Sequence, residues 1–367
     1  MEHNMLALDF WQDTVTYEGM TLPTGTIGCD ALNISNDVIR ELNQLCEPLN
    51  QFMKALNTLN PDPALLPVAK DAVIQILNLL HTVPPFSYLD MDFYILGISK
   101  AFTEQGVQDF ITYSTAVLSA TLTPTLIDKY KNGVLLGRIT PILVQLVFSL
   151  DGYKKTMTNF AEKIDVAESN RTADGLAELF GRHFPLEFSL TAEEAWMSHT
   201  NATVQYLSAI RSDYSVPMLV KRMHYVSFVG MFRSDLFEGL CVGHAPKKCP
   251  ICGRWFLTTN ARHTKYCGNL APGDKLRRTC RQIGNLKGRE QRELADDHPL
   301  KQIYERRLNT INRYVKRGIL DVDLAEVAKK LAKDKMLRAV SDVCYAQGDY
   351  KKEMEQDFLL AEAKSQR

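Results

Sequence analysis

The chain has 367 residues, of which 45% are hydrophobic and 23% are charged, and its formal net charge is zero. These values are ordinary for globular domains, so they exclude a disordered or fibrous class, and the length suits two or three domains. No basic, apolar leader is visible at the start, which predicts a cytoplasmic protein. The most apolar stretch, residues 133–150, is interrupted by Arg138 and Pro141. We therefore expect it to be a buried helix, with no membrane partner.

The first thirty residues predict a short β segment, over residues 1–30. Leu6, Leu8 and Phe10 alternate with other residues, and the pair Glu18-Gly19 offers a turn. Such alternation next to a turn signal is typical of a small hairpin.

Residues 31–243 predict a helical domain, because their apolar residues follow the helical period. Ser35 is placed to cap a helix whose apolar face extends to Leu56, and a second helix is expected over residues 64–80. The same period predicts further helices near residues 97–119, 124–132, 137–165, 172–181, 191–211 and 216–241.

Four of the eight cysteines lie close together in residues 244–290 and form the pattern C-x2-C-x14-C-x12-C. They are Cys249, Cys252, Cys267 and Cys280. A C-x2-C pair followed by Gly253 is typical of a zinc knuckle, since glycine permits the tight turn that brings two thiolates to one metal. Four thiolates leave no open position, so the pattern predicts one structural Zn²⁺.

Alternative interpretations of the cysteines remain at this point. His263 could replace one cysteine as a ligand, four thiolates could hold an iron–sulfur cluster, or the thiols could be unrelated. The isolated Cys29, Cys46 and Cys344 are expected to be small buried hydrophobic residues. Trp255, Phe256 and Tyr266 are expected to form the small core of the cysteine module, with a surface for base stacking as the alternative.

The cysteine module resembles known zinc modules. Its pattern C-x2-C-G-R-W-F, then Y-C, then T-C-R-x2-G resembles an uncharacterised bacterial family with a long N-terminal region and a C-terminal cysteine-rich knuckle. It is more distantly similar to the CGNR-type zinc fingers of proteins classed as bacterial transcription regulators, a resemblance that implies DNA binding. In those fingers the last two cysteines are close together, whereas here twelve residues separate Cys267 from Cys280. The resemblance covers about residues 247–320.

Residues 291–367 predict C-terminal helices. Pro299 suits the start of a helix, and Gly318 its end. The apolar positions of this helix fall on one arc, and Arg306, Arg313 and Arg317 fall on the opposite side. Asp321 or Asp323 can cap the helix that follows.

The charge is unevenly distributed along the chain. Between His244 and Arg317 there are 18 basic and 6 acidic residues, a balance of +12, and the remainder carries −12. Positive charge gathered on one small module predicts contact with the phosphates of nucleic acid. A merely solvated basic face is the alternative. The basic residues proposed to contact nucleic acid are Arg254, Arg262, Lys265, Arg277, Arg278, Arg281, Arg306, Arg313 and Arg317.

The sequence therefore predicts a mainly α protein: a multi-helical body with a short N-terminal β segment, and a small zinc-ribbon or knuckle module followed by C-terminal helices. The predicted function is that of a zinc-containing nucleic-acid-binding protein, with a regulator or a mobile-element accessory factor as candidate roles. Phosphate-binding, dinucleotide-binding, zinc-protease and serine-hydrolase motifs are absent from the sequence, which favours a protein that is not an enzyme. Two alternatives remain: a scaffold that binds a protein partner through the helical body, and an enzyme whose site lies in residues 31–243.

Overall fold

The computed structural model of the chain describes residues 4–59, 61–119, 123–166, 172–184, 201–210, 216–259, 264–293 and 298–366. Within these residues the seven strands, β1 to β7 in chain order, are Ala7–Trp11, Thr14–Tyr17, Met20–Pro23, Ala202–Ala209, Met218–Tyr225, Ala245–Lys248 and Trp255–Thr258. The fifteen α-helices, α1 to α15, are Thr26–Ala31, Asn36–Asn57, Leu65–His81, Met91–Ala101, Glu104–Leu118, Pro124–Lys129, Lys131–Val166, Ala173–His183, Phe228–Cys241, Cys280–Glu293, Pro299–Lys316, Val322–Ser341, Val343–Gln347, Tyr350–Glu353 and Gln356–Ser365. The fold is mainly α, as the sequence predicts.

The chain forms two compact units. Unit one comprises Met1–Thr158 and Glu187–His244, and unit two comprises Asn159–Leu186 and Ala245–Arg367. This division differs from the four segments predicted from the sequence. The N-terminal strands join the helical body in unit one, and the cysteine module shares unit two with the C-terminal helices. Unit two takes up the chain again at Ala245, one residue after the first residue of the predicted module.

Unit one contains a five-stranded antiparallel sheet with the strand order β3-β2-β1-β5-β4. The predicted turn is present between β2 and β3, where Glu18 has φ 47° and Gly19 has φ 81°. Two successive positive φ values are those of a type I′ turn, whose twist matches that of the flanking strands. The N-terminal hairpin is therefore part of a larger sheet, because β1 also pairs with β5 from far along the chain.

Two predicted helices of unit one are wrong where β4 and β5 lie. Residues 202–209 and 218–225 are paired strands, although helices were predicted over 191–211 and 216–241. The apolar residues of β5, such as Met218 and Val220, fit a helical period as well as an alternating one, so pairing with β1 decides the outcome. The helix α9 begins only after Ser227, whose Oγ accepts the N–H of Gly230. Residues 191–200 of the first prediction lie outside the described residues.

The other helical predictions in the described part of unit one are largely confirmed. Ser35 caps α2 by accepting the N–H of Val38, and α3 covers the second predicted helix. The segment predicted as one helix over residues 97–119 is divided into α4 and α5. Thr103 starts α5, because its Oγ1 accepts the N–H of Gly106.

A buried carboxylate links α9 to the start of α1. Asp235 is fully buried, and its two oxygens accept the N–H groups of Gly25 and Gly28 at 2.9 Å each. Burial raises the pKa of Asp235 to about 7, although hydrogen bonds from the N–H groups of Gly25, Gly28 and Ile27 act in the opposite direction. The carboxylate of Asp235 thus accepts hydrogen bonds from N–H groups at the start of α1, and it titrates near neutral pH.

The long apolar stretch predicted as a buried helix forms part of α7. By length and composition alone, α7 could cross a membrane, and half of its most apolar window is buried. Leu136, Leu143, Val147 and Leu150 on this helix are almost completely buried. Such burial is typical of a core helix, which agrees with the prediction.

In unit two the helices α11 to α15 share a hydrophobic core. Its buried members include Ile311, Leu324, Ala328, Met336, Tyr350 and Leu359. The predicted boundaries are confirmed: Pro299 is the first residue of α11, Gly318 follows its end with φ 66°, and Asp321 precedes α12. Arg307, on the apolar side of α11, is half-buried and donates from Nη1 to Oε1 of Gln356 at 2.7 Å.

Candidate metal centre

The first two cysteines lie on the turn of the β6–β7 hairpin in unit two. Cys249 directly follows β6, and its N–H donates to the carbonyl of Arg254 at 2.9 Å. The N–H of Gly253 donates back to the carbonyl of Cys249 at 2.8 Å, and Gly253 has φ 71°. The predicted role of Gly253 is therefore confirmed, since a left-handed residue closes the knuckle between Cys249 and Cys252.

The other two cysteines flank a narrow loop, residues 268–279, which we call the tongue. Its two sides are joined by hydrogen bonds from the N–H of Cys280 to the carbonyl of Asn269, at 2.9 Å, and from the N–H of Ala271 to the carbonyl of Arg278, at 3.0 Å. Cys267 precedes the tongue and Cys280 follows it. The pairing of its sides brings these two distant cysteines together.

Cys280 is also the first residue of α10, a helix that the sequence interpretation missed. Thr279 Oγ1 accepts the N–H of Gln282, and Gln282 Oε1 accepts the N–H of Thr279. This reciprocal pair is a capping box, and its signature T-x-x-Q is visible in the sequence. A turn further on, Gly284 lies so close to the ring of Tyr266 that a Cβ on it would be 2.3 Å from the ring. The absence of a side chain at Gly284 therefore lets α10 approach the loop that carries Cys267.

The four Sγ atoms converge in one place. They all lie within 4.8 Å of one another, and those of Cys252 and Cys267 are 3.5 Å apart. Tetrahedral zinc with bonds of about 2.3 Å would separate its sulfurs by about 3.8 Å. Cys249, Cys267 and Cys280 are buried, and Cys252 is half-buried. The cluster can hold one metal ion, as predicted, with all four positions filled by protein.

Backbone N–H groups favour the thiolate form of one ligand. Burial alone would raise the pKa of Cys249, but N–H groups of Cys252, Cys267 and Ile251 lower it to about 7. Burial raises the pKa of Cys267 to about 11 and also raises that of Cys280. A metal ion that binds here must therefore displace protons from buried thiols.

Two of the three aromatic residues of the module form part of its core. Phe256 and Tyr266 pack against the buried cysteines, together with Ile251 and Ile283. Trp255 is only 6% exposed, and Nζ of Lys248 lies 5.7 Å from the centre of its ring. Trp255 is not a member of this cluster, and its burial leaves little of its ring for base stacking.

The remaining cysteines outside the module differ in exposure. Cys29 and Cys46 are buried, as predicted, and the prediction for Cys344 is wrong because this thiol is exposed. Cys241 at the end of α9 is exposed as well.

Most of the predicted basic residues of the module are exposed to solvent. The exposed ones are Arg254, Lys265, Arg277 and Arg281. Arg278 instead holds the tongue, since its N–H and guanidinium both donate to the carboxylate of Asp274. This contact lowers the pKa of Asp274 below its ordinary value. Arg262 and the alternative ligand His263 lie outside the described residues.

Two other basic residues of unit two form ion pairs with acidic residues of α7. Lys247 and Lys248 form ion pairs with Asp165 and Glu162, respectively. Three further arginines, which we call the α11 stripe, are exposed. They lie seven and four positions apart, the last of them one residue past the end of α11, and this spacing places them along one face of the helix. They are Arg306, Arg313 and Arg317.

Comparison with known proteins gives one match. Residues 197–366 match a family described as a family of unknown function (DUF6076), and the match covers slightly less than half of the chain. It spans β4, β5 and α9 of unit one as well as the metal module and C-terminal helices of unit two. No curated protein and no solved structure matches the chain. The chain is thus similar over this region to an uncharacterised family, and none of these comparisons supports the resemblance to CGNR-type fingers.

Proposed function

We propose that residues 245–293 hold one structural zinc ion and that unit two binds nucleic acid through its exposed basic side chains. The two parts of this proposal have different grounds. The metal follows from the convergence of four thiols. Nucleic-acid binding follows from the charge of the module that those thiols stabilise.

Zinc is favoured by the set of donor atoms. Four cysteine sulfurs within 4.8 Å of one another suit the tetrahedral, all-thiolate sites that zinc occupies in small structural modules. No position is left for water or substrate, so the ion would stabilise the fold and take no part in a reaction. This role requires reduced thiols, and a reducing compartment such as the cytoplasm is part of the proposal.

The observation that carries the nucleic-acid proposal is the excess of positive charge on the module. Residues 247–292 contain 12 basic residues and two acidic ones. One of the two acids, Asp274, already pairs with Arg278. Even when four thiolates and Zn²⁺ add a charge of about −2, the module stays strongly positive. Positive charge concentrated in one short segment attracts the phosphate backbone.

The α11 stripe adds three positive charges to those of the module in unit two. Long guanidinium side chains on an exposed helix face can each contact a phosphate. The remainder of the chain carries −12, so it would repel a polyanion and confine binding to the basic residues. Because phosphate contacts carry no base sequence, we expect weak sequence preference. A regulator or mobile-element accessory factor that also binds a protein partner would fit this arrangement.

The test is the reversal of all three residues of the α11 stripe to Glu. For each phosphate contact, log K for duplex DNA should fall by about 0.9 per log unit of salt. The triple variant should bind more weakly than the native protein and lose up to about three such units of salt slope. Fluorescence anisotropy with a labelled duplex and a labelled single strand, at several salt concentrations, measures both quantities.

A matched control is available elsewhere in unit two. Lys351, Lys352 and Lys364 are exposed, and their reversal to Glu changes the net charge by the same amount. The control should reduce binding much less than the stripe variant. If both variants lose the same affinity, only the net charge of the protein matters and the surface assignment fails. If the native protein binds neither DNA nor RNA at low salt, the module is a structural element of a scaffold.

A further inference from the structure

The tip of the tongue presents an apolar side chain between two basic ones. Leu276 is 73% exposed, and its neighbours Lys275 and Arg277 are exposed as well. The tip lies nine residues after Cys267 and four before Cys280. Single exposed leucines are common on protein surfaces. A role for Leu276 must therefore be argued from the contacts within the tongue.

Several hydrogen bonds connect the residues of the tongue. The carboxylate of Asp274 accepts the N–H of Arg278 at 2.7 Å and its Nη2 at 2.6 Å. Between these two residues, the N–H of Arg277 donates to the carbonyl of Asp274 at 3.0 Å. Hydrogen bonds also join the two sides of the tongue, and a cysteine flanks each end of it.

Backbone strain at the tip also indicates that its shape is specified. Arg277 has φ 53°, a left-handed conformation that is uncommon for residues other than glycine, asparagine and aspartate. Such conformations cost free energy and persist where surrounding contacts impose them, often at binding sites. In this conformation Leu276, the residue before Arg277, is exposed to solvent.

We propose that Leu276 is a wedge that enters between neighbouring base pairs of duplex DNA from the minor groove, with Lys275 and Arg277 on the flanking phosphates. The proposal rests on the nucleic-acid function proposed above and specifies its substrate as a duplex that can be unstacked. Proteins that kink DNA insert leucine, isoleucine, methionine or phenylalanine side chains in this way, and they combine the wedge with arginine and lysine side chains. A rigid support is required, because the wedge must offset the free energy of unstacking.

Charge favours DNA over the other partners that could receive an exposed leucine. Both neighbours of Leu276 are basic, and the module around it has 12 basic and two acidic residues. A single leucine buries too little surface to hold a protein at a lipid bilayer. A protein partner would need an acidic pocket, whereas every duplex offers phosphates on both sides of each base step.

The experiment compares a fully paired duplex with the same duplex carrying one central mismatch. A mismatched pair is easier to unstack, so a wedge should prefer it, by roughly fivefold or more in Kd. Leu276→Ala should bring this ratio close to one and leave the salt slope unchanged, because the phosphate contacts remain. Leu270→Ala is the matched control. Leu270 is 54% exposed at the base of the same tongue, and its loss should preserve the ratio.

Each outcome separates the wedge from the proposed function. Salt-dependent binding with no mismatch preference, or with a preference that Leu276→Ala leaves intact, overturns the wedge alone. Equal losses for Leu276→Ala and Leu270→Ala also overturn it, since general apolar contact would then suffice. Absence of binding to both duplexes at low salt overturns the wedge, and absence of binding to single-stranded DNA and to RNA as well overturns the proposed function. Metal content, measured for every variant, verifies that the tongue is still folded.

Discussion

Unit one is filled by large apolar side chains, whereas the module of residues 245–293 in unit two has very few of them. In unit one the rings of Phe86, Phe228 and Phe232 stack edge-on or tilted, with centroids 5.2–6.1 Å apart. In the module, three cysteines and Ala271 are the buried members of the hydrophobic cluster. So small a segment buries little apolar surface, and a bound metal is the usual substitute for the missing core. The comparison predicts different responses of the two regions to the loss of one side chain.

The largest effect is expected from Cys252→Ser. Removal of one thiolate should release the metal and unfold residues 245–293, because metal-binding free energy in such modules is also folding free energy. Hydrogen–deuterium exchange should show lost protection there and nearly unchanged protection in unit one. The helices α11 to α15 should also stay protected, since their core contains none of the four ligands.

Cys344→Ser is the control for that experiment, because Cys344 is an exposed thiol outside the cluster. It should retain the full metal content and the protection of the native protein. A Cys252→Ser protein whose module remains as protected as in the control would show that the apolar contacts alone suffice.

A smaller effect is expected in unit one, from the titration of Asp235. Its pKa is about 7 in the folded protein and about 3.9 in an unfolded chain, so the folded state binds the proton more tightly. Its contribution to stability is therefore fully present below about pH 4 and is lost as the pH rises through about 7. The slope reaches at most about 1.4 kcal/mol per pH unit in this window.

Urea unfolding at several pH values measures this contribution when native protein and Asp235→Asn are compared. The variant cannot ionise at this position, so the difference in stability between the two proteins should change with pH between about 4 and 7. Its metal content should stay the same, because the four thiols belong to unit two. A difference that is constant over this range would mean that Asp235 keeps an ordinary pKa.

The sequence predicts the cysteine cluster well because its signal is local. The knuckle Cys249 to Cys252 needs only a short turn with Gly253, and the spacing reveals it. The strand β5 was missed because its assignment depends on pairing with β1, more than 200 positions away, and its apolar residues also fit a helix. Such long-range pairing leaves little trace in one sequence.

The helix α10 and the tongue differ in how far the sequence predicts them. The start of α10 carried a local signal, the capping box of Thr279 and Gln282, and could have been predicted. The tongue could not, because its shape depends on the contact of Arg278 with Asp274 and on a left-handed Arg277. The identities of these residues do not predict that geometry. The exposure of Leu276 therefore emerges only from the three-dimensional structure.

The most direct test of the central claim is the metal content of the protein purified from zinc-replete medium. Elemental analysis should find about one zinc per chain, and a thiol-reactive reagent should release it as the cysteines are modified. One zinc per chain that is lost in Cys252→Ser and retained in Cys344→Ser is the predicted result. Protein that is folded in residues 245–293 and contains neither zinc nor iron would contradict the account.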